Sequence, residues 1–268
     1  MGVLNVTPDS FSDGGKFTDI KSAVEQTKKM LSEGVDIIDI GGESTRPGSQ
    51  SVEAEEQIAR VVPVIKAIRE QLSKTILISI DTTLSEVAKA ALDAGADIIN
   101  DISAGQTDKS ILALASEREV PIILMHMQGT PKDMQENPGY EKVVSDIISA
   151  LKTRVNEALA AGVKKEKIVL DPGIGFGKRK KDNIQLLANL DKLSNIGYPV
   201  LLGTSRKRFM GSICSVTEPS ELVTATAVTT ALGVMAGVQI FRVHDVKENK
   251  QAVDVAWAIK QARDVSAS

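Results

Sequence analysis

The sequence predicts a single (β/α)8 barrel spanning residues 1–268, and three observations predict it. Short β-branched runs alternate with amphipathic stretches along the whole chain. The runs are near-continuous in apolar residues, as in 121–126 (PIILMH) and 168–171 (IVLD), the pattern of parallel strands covered by helices. Polar residues then collect at the C-terminal end of each run.

The strand candidates are 1–6, 35–40, 76–81, 98–102, 121–126, 168–171, 199–204 and 239–243, and each gap accommodates a crossover helix. Between the third and fourth, Leu84, Val87, Ala88, Ala91 and Leu92 form one stripe at helical spacing. Residues 53–72, 140–161 and 220–237 behave similarly. An open doubly wound sheet is the competing architecture. It would want a phosphate-binding glycine turn after the first strand, which is missing, and no low-complexity linker divides the chain. Because residues 1–6 already read as a strand, the chain is expected to be trimmed or cut from a longer polypeptide.

Composition narrows the partners. With 25% charged residues and a net charge of −3, the chain has no general attraction for nucleic acid or anionic membrane. An anion site must be a local cluster of cations. The single cysteine, Cys214, excludes an internal disulfide and suits a reducing compartment, either cytoplasm or, in a eukaryote, the mitochondrial matrix. No apolar run approaches the roughly 18 residues of a membrane span, and no signal peptide is visible.

In a barrel of this class the chemistry sits at the C-terminal strand ends. There the sequence places Arg46, Arg206, Lys207, Arg242 and His244, which predict a pocket for an anionic substrate. Loops after the seventh and eighth strands are the usual phosphate site, and arginine forks match phosphate oxygens. Asp81, Asn100 and Asp171 end strands three, four and six. A carboxylate beside an amide can read the edge of an amino-pyrimidinone ring, although Asp81 also suits capping of the next helix. Phe11, Phe17, Phe176 and Phe209 are expected in loops, as walls or lids for a flat ring. Gly173, Gly175 and Gly177 lack dinucleotide-fold spacing and predict close backbone approach instead.

Together, 5–15 (NVTPDSFSDGG), 42–48 (GESTRPG), Asn100-Asp101, 125–129 (MHMQG), 171–178 (DPGIGFGK), Ser205-Arg206-Lys207 and 242–245 (RVHD) resemble the dihydropteroate synthase family, nearly end to end. The resemblance implies a transferase that joins (7,8-dihydropterin-6-yl)methyl diphosphate to 4-aminobenzoate, releases diphosphate in folate biosynthesis, and is a sulfonamide target. It further implies that Asp81, Asn100, Asp171 and Lys207 hold the pterin, with Ile102, Met125 and Gly203 also binding substrate. Thr45, Arg46, Arg242 and His244 would bind the diphosphate, and Asn5 would help place a magnesium ion on it. Ser205, Phe11, Pro47, Phe176 and Lys207 would shape the aminobenzoate site, and Arg206 would either brace its loop or face the aminobenzoate carboxylate. Asp81, Lys207, Asp9 and Arg46 would carry catalysis, and the loops after strands one and two would close over the site.

These residues fit a dissociative reaction, in which a conjugated dihydropterin delocalises the charge left by C–O cleavage. No Ser/His/Asp or Cys/His machinery is expected, because an aniline nitrogen already carries its lone pair at neutral pH. A pterin-dependent methyltransferase and a non-catalytic pterin-binding module are the alternatives. The first needs neither the diphosphate cluster nor Ser205-Arg206-Lys207, and the second predicts eroded loops. The family resemblance also implies a homodimer built on the last helices.

Overall fold

The computed structural model describes residues 1–7, 16–44, 48–72 and 75–266. Eight parallel strands alternate with helices. They are β1 (Gly2–Asn5), β2 (Ile37–Gly41), β3 (Leu77–Asp81), β4 (Ile98–Asp101), β5 (Ile122–Met125), β6 (Ile168–Asp171), β7 (Leu201–Leu202) and β8 (Ile240–Phe241). The first six form one sheet in sequential order and the last two pair with each other. Single parallel bridges, Leu170↔Val200 and Gly2↔Val243, join the two pieces and close the barrel. Pro199 has no N–H to donate, yet its carbonyl still accepts from Leu170 N at 2.9 Å. The seventh and eighth strands are shorter than the sequence predicts, and the closure is intact.

Side-chain alternation divides each strand between two environments. Ile38, Ile40, Ile78, Ile80, Ile99 and Ile122 point outward and are fully buried under the helices. Each contributes about 1.5–3 kcal/mol relative to exposure. The opposite parity faces the barrel axis. Its lower layer is a separate apolar plug of Ile98, Ile123 and Leu201, packed with Met1, Ile37, Val169 and Ile240. Above the plug the axis-facing positions turn polar.

The helices are α1 (Lys16–Ser32), α2 (Ala54–Gln71), α3 (Ser85–Asp93), α4 (Ser110–Glu117), α5 (Val143–Ala160), α6 (Lys180–Leu187), α7 (Leu190–Ser194), α8 (Arg208–Cys214), α9 (Val223–Met235) and α10 (Val246–Ser266). Two loop expectations are corrected. Phe17 lies inside α1 and Phe209 inside α8, where Phe209 is buried in the main core. Seven residues of α8 are too few to show a helical period in the sequence. Among the described residues no helix is long and apolar enough to cross a membrane.

Candidate active site

Strand register levels the polar groups at the barrel mouth. Gly41 pairs with Asp81, Asp81 with Asn100, and Met125 with Asp171. Asp81, Asn100 and Asp171 are all buried, at 7%, 3% and 6% exposure. Gly41 and Gly203 keep space among them. A Cβ on Gly41 would lie 3.5 Å from Asp81 Cβ, and one on Gly203 would lie 3.9 Å from both Arg242 Cβ and Asp171 Oδ2.

Arg242, just beyond β8, ties this floor together. Its Nε donates to Asp39 Oδ2 and its Nη2 to Asp81 Oδ2, each at 2.6 Å. Burial alone would ease deprotonation of the guanidinium, but Asp39 and Asp81 outweigh it and hold Arg242 firmly charged. Burial likewise pushes the Asp81 carboxyl up from its usual range, against the pull of Arg242. Asp81 does not cap α3. The Ser85 N–H that begins this helix donates to Asp108 Oδ2 at 2.8 Å, and Thr82 Oγ1 accepts from Leu84.

Asp171 accepts from Gly173 N at 2.7 Å. Burial raises its pKa to about 6 although Gly173, Lys207 and Lys178 favour its charged form. Lys207 Nζ lies 4.1 Å from the Phe176 ring centre. Its pKa falls to about 8, through burial and then Arg242. Ile102, Met125 and Phe176 pack with Met134 into an apolar cluster of their own, apart from the main core. The mouth therefore has a wall for a flat ring beside a floor of carboxylates, amide and cations.

The anion cluster is less cationic than its sequence suggests. Arg206 is engaged by Asp245 through Nε at 3.0 Å and Nη2 at 2.6 Å, so it braces the loop. Burial, then Arg242 and Arg206, lower His244 to about 4, leaving a neutral ring at pH 7. Its Nδ1 is 3.0 Å from Ser205 Oγ, and its backbone N–H donates to the same oxygen at 3.1 Å.

Known proteins resemble the chain in sequence and in fold. A family model described as pterin binding enzyme matches residues 1–244. A dihydropteroate synthase of Streptococcus pyogenes serotype M6 is 50% identical, over 95% of this chain and 93% of its own. The chain belongs to the dihydropteroate synthase family. Solved structures agree. Yersinia pestis dihydropteroate synthase with a sulfonamide drug complex superposes with a TM-score of 0.91 at 42% identity, covering 97% of this chain and 94% of that one. Xanthomonas albilineans dihydropteroate synthase with 4-aminobenzoic acid gives 0.90 at 42% identity, over 97% and 92%.

Within this dihydropteroate synthase barrel, Asp81, Asn100, Ile102, Met125, Asp171, Phe176, Gly203, Ser205, Lys207, Arg242 and His244 gather at one end, with Asn5 at the end of β1. Asp9, Phe11, Thr45, Arg46 and Pro47 lie outside the described residues. Sequence reasoning missed two groups. Asp39 is fully buried on β2, and its only sequence signal is an acid inside an apolar run. Lys178, 3% exposed, has Nζ 3.0 Å from His126 Nδ1 and donates to the Phe176 and His126 carbonyls at 2.9 and 3.2 Å. Lys178 thus ties the β5 and β6 loops together. Backbones approach closely there as well: a Cβ on Gly173 would lie 2.0 Å from His126 O.

Proposed function

We propose that the barrel mouth performs the family's dihydropteroate synthesis by a dissociative route, with recognition divided among three neighbouring regions. The observation that carries this reading is the convergence of Asp81, Asn100 and Asp171 beside the Ile102–Met125–Phe176 wall, with Arg242 bound to Asp81 and Lys207 against Phe176. Carboxylate and amide oxygens accept the amino and ring N–H donors of a pterin, and the apolar cluster covers its face. Arg242 and neutral His244 donate toward the diphosphate, and Thr45 and Arg46 are assigned to it by the family motif.

Charge development decides the roles. When the C–O bond breaks, positive charge spreads over the dihydropterin and negative charge remains on the diphosphate. Asp81 stabilises the first by proximity, without taking a proton. Arg242 stabilises the second, with charged hydrogen bonds contributing about 1.5–3 kcal/mol each. Ser205, Phe176 and Lys207 present 4-aminobenzoate to the exposed carbon; roles for Asp9, Phe11, Arg46 and Pro47 are assigned by the family motif alone. The apolar wall of Ile102, Met125 and Phe176 keeps water from one side of the cation.

Asn5 fits a magnesium ion as one oxygen ligand. Among the described residues no His, Cys, Asp or Glu cluster is built to hold a metal. Magnesium commonly binds through one or two protein groups, water and substrate phosphates, so this sparse donor set suits an ion arriving with the diphosphate. Such an ion would neutralise charge on the leaving group.

A homodimer through α9 and α10 belongs to the same reading. Leu232, Val255 and Ile259 are more than half exposed along a groove between these helices, and an exposed apolar strip of this kind favours burial by a partner copy. A reducing, cytoplasmic setting is supported by the lone, exposed, unpaired Cys214.

The deciding assay mixes the protein with pterin methyl diphosphate and magnesium, with and without 4-aminobenzoate. Aminobenzoate-dependent 7,8-dihydropteroate is expected together with stoichiometric diphosphate. Diphosphate release with no aminobenzoate adduct would overturn the reading.

A further inference from the structure

Asp39 holds none of the roles given above, yet its exposure is 0%. It sits on β2 with its side chain toward the barrel axis, beside Ser79 in register and one axis-facing position below the pairing of Gly41 with Asp81. A carboxylate at that depth has lost its water and needs charged or polar partners to replace it. Among the described residues it has two, from β4 and from just beyond β8. Arg242 Nε donates to Oδ2 at 2.6 Å. Asn100 Nδ2 donates to the same oxygen at 3.2 Å and lies 3.4 Å from Oδ1.

Each contact fixes something the ligand must meet. With Nε on Asp39 and Nη2 on Asp81, the Arg242 guanidinium plane is set by two carboxylates. Its Nη1 has no acceptor among the described residues and remains for an anion. Donation from Asn100 Nδ2 fixes the amide's orientation, so its Oδ1 is the atom presented upward as an acceptor. Asp39 thus joins a residue assigned to the diphosphate to one assigned to the pterin ring.

We propose that Asp39 is a positioning residue whose carboxylate orients Arg242 and Asn100 together, so that pterin ring and diphosphate are held in one mutual geometry. This rests on the roles proposed above for those two residues. Asp39→Asn is nearly isosteric. It offers one acceptor oxygen where two donors converge, and its own amide hydrogens then face Arg242 or Asn100.

The test titrates wild type, D39N, R242A and D39N/R242A separately with inorganic pyrophosphate and with 6-hydroxymethylpterin, by calorimetry. D39N is expected to weaken both ligands about tenfold or more, a change of about 1.4 kcal/mol each. Its KM for 4-aminobenzoate should stay within about twofold of wild type, since Asp39 orients neither Phe176 nor Ser205. In the R242A background, D39N should cost no further pyrophosphate affinity but should still cost pterin affinity through Asn100. Unchanged binding of both ligands by D39N overturns the inference. Loss of pyrophosphate affinity alone also overturns it, because Asp39 would then be only a counter-ion. If wild type binds neither probe, the proposed function fails first and takes this inference with it. Should D39N alone not fold, thermal unfolding of D39N/R242A against R242A decides the matter. Removing a buried carboxylate that has lost its cation should raise stability, and a double variant no more stable than R242A would refute the partnership.

Discussion

Lys207 holds its ammonium 4.1 Å from the centre of the Phe176 ring, joining the β7 and β6 loops across the mouth. The stem of Lys207 also runs past Gly175, where an added Cβ would sit 3.0 Å from its Cδ. A cation over an aromatic face contributes about 0.5–2 kcal/mol, more when desolvated. Phe176→Leu keeps an apolar side chain but removes that face. It should lower kcat/KM for 4-aminobenzoate by about 3- to 30-fold, in line with that energy. Steady-state kinetics at saturating pterin diphosphate measure this, and an unchanged value would remove Phe176 from the site.

His244 is neutral in the free protein because burial, Arg242 and Arg206 all disfavour its charge, placing its pKa at about 4. A diphosphate beside it acts in the opposite sense and raises that pKa. Binding must then take up a proton between the free and bound values, so affinity rises as pH falls through the bound-state pKa. Pyrophosphate titrations near pH 6, in two buffers of different ionisation enthalpy, read the uptake. His244→Asn should bind fewer protons than wild type, a comparison that cancels protonation of the ligand itself. Equal uptake by the two proteins would place the anion away from His244.

Arg206 sits in the left-handed region, with φ of 58°, while both ends of its guanidinium fork engage Asp245. Two effects therefore separate by substitution. Arg206→Ala loses the ion pair and keeps the backbone strain. Arg206→Gly loses the same pair and relieves the strain, by about 1 kcal/mol. Denaturant unfolding should find R206G more stable than R206A. The reverse order would mean that the loop does not hold this conformation in solution.

These cases show where the sequence is legible and where it is not. Strand parity and polar strand ends are local patterns, so the barrel and the positions of Asp81, Asn100, Asp171 and Arg242 can be read directly. Asp39 escaped because it lies inside a strand, where an acid looks like a tolerated exception; only its partners on β4 and just beyond β8 give it meaning. Formal charge misled in a similar way. His244 belongs to the predicted cation cluster, yet burial neutralises it; for Arg206 the sequence leaves two roles open, and its contact with Asp245 favours bracing of the loop. Such effects depend on contacts far apart in the chain.

The exposed strip on α9 and α10 gives a separate test of assembly. Val255 is 62% exposed and Leu232 58%. A charge placed where two apolar faces meet loses hydration without a partner. The proposed homodimer predicts a wild-type dimer in sedimentation, and Leu232→Asp and Val255→Asp should each shift it to monomer while the barrel stays folded by circular dichroism. A dimer that persists in both variants would place the subunit contact elsewhere.

Lys178 yields a prediction about stability against pH. Its ammonium is buried, and burial lowers its pKa from 10.5 to about 7, a shift that Lys207 reinforces and Asp171 opposes. The unfolded chain keeps this proton up to about pH 10.5, whereas the folded protein releases it near 7. Between those values the unfolded state binds more protons, so the contribution of Lys178 makes folding more favourable as pH rises. The penalty is greatest below pH 7 and is relieved toward 10.5. Lys207, lowered to about 8, acts in the same direction, so the variant must isolate Lys178. Lys178→Met removes the titrating group but strands the carbonyls of His126 and Phe176 that the amine now satisfies. Urea unfolding at pH 7 and pH 9 should show wild type gaining on the order of 1–2 kcal/mol more than K178M over that interval. Parallel pH profiles would mean that Lys178 is charged in the folded protein across the whole range, and that the β5 and β6 loops are joined by a hydrated cation instead of a buried amine.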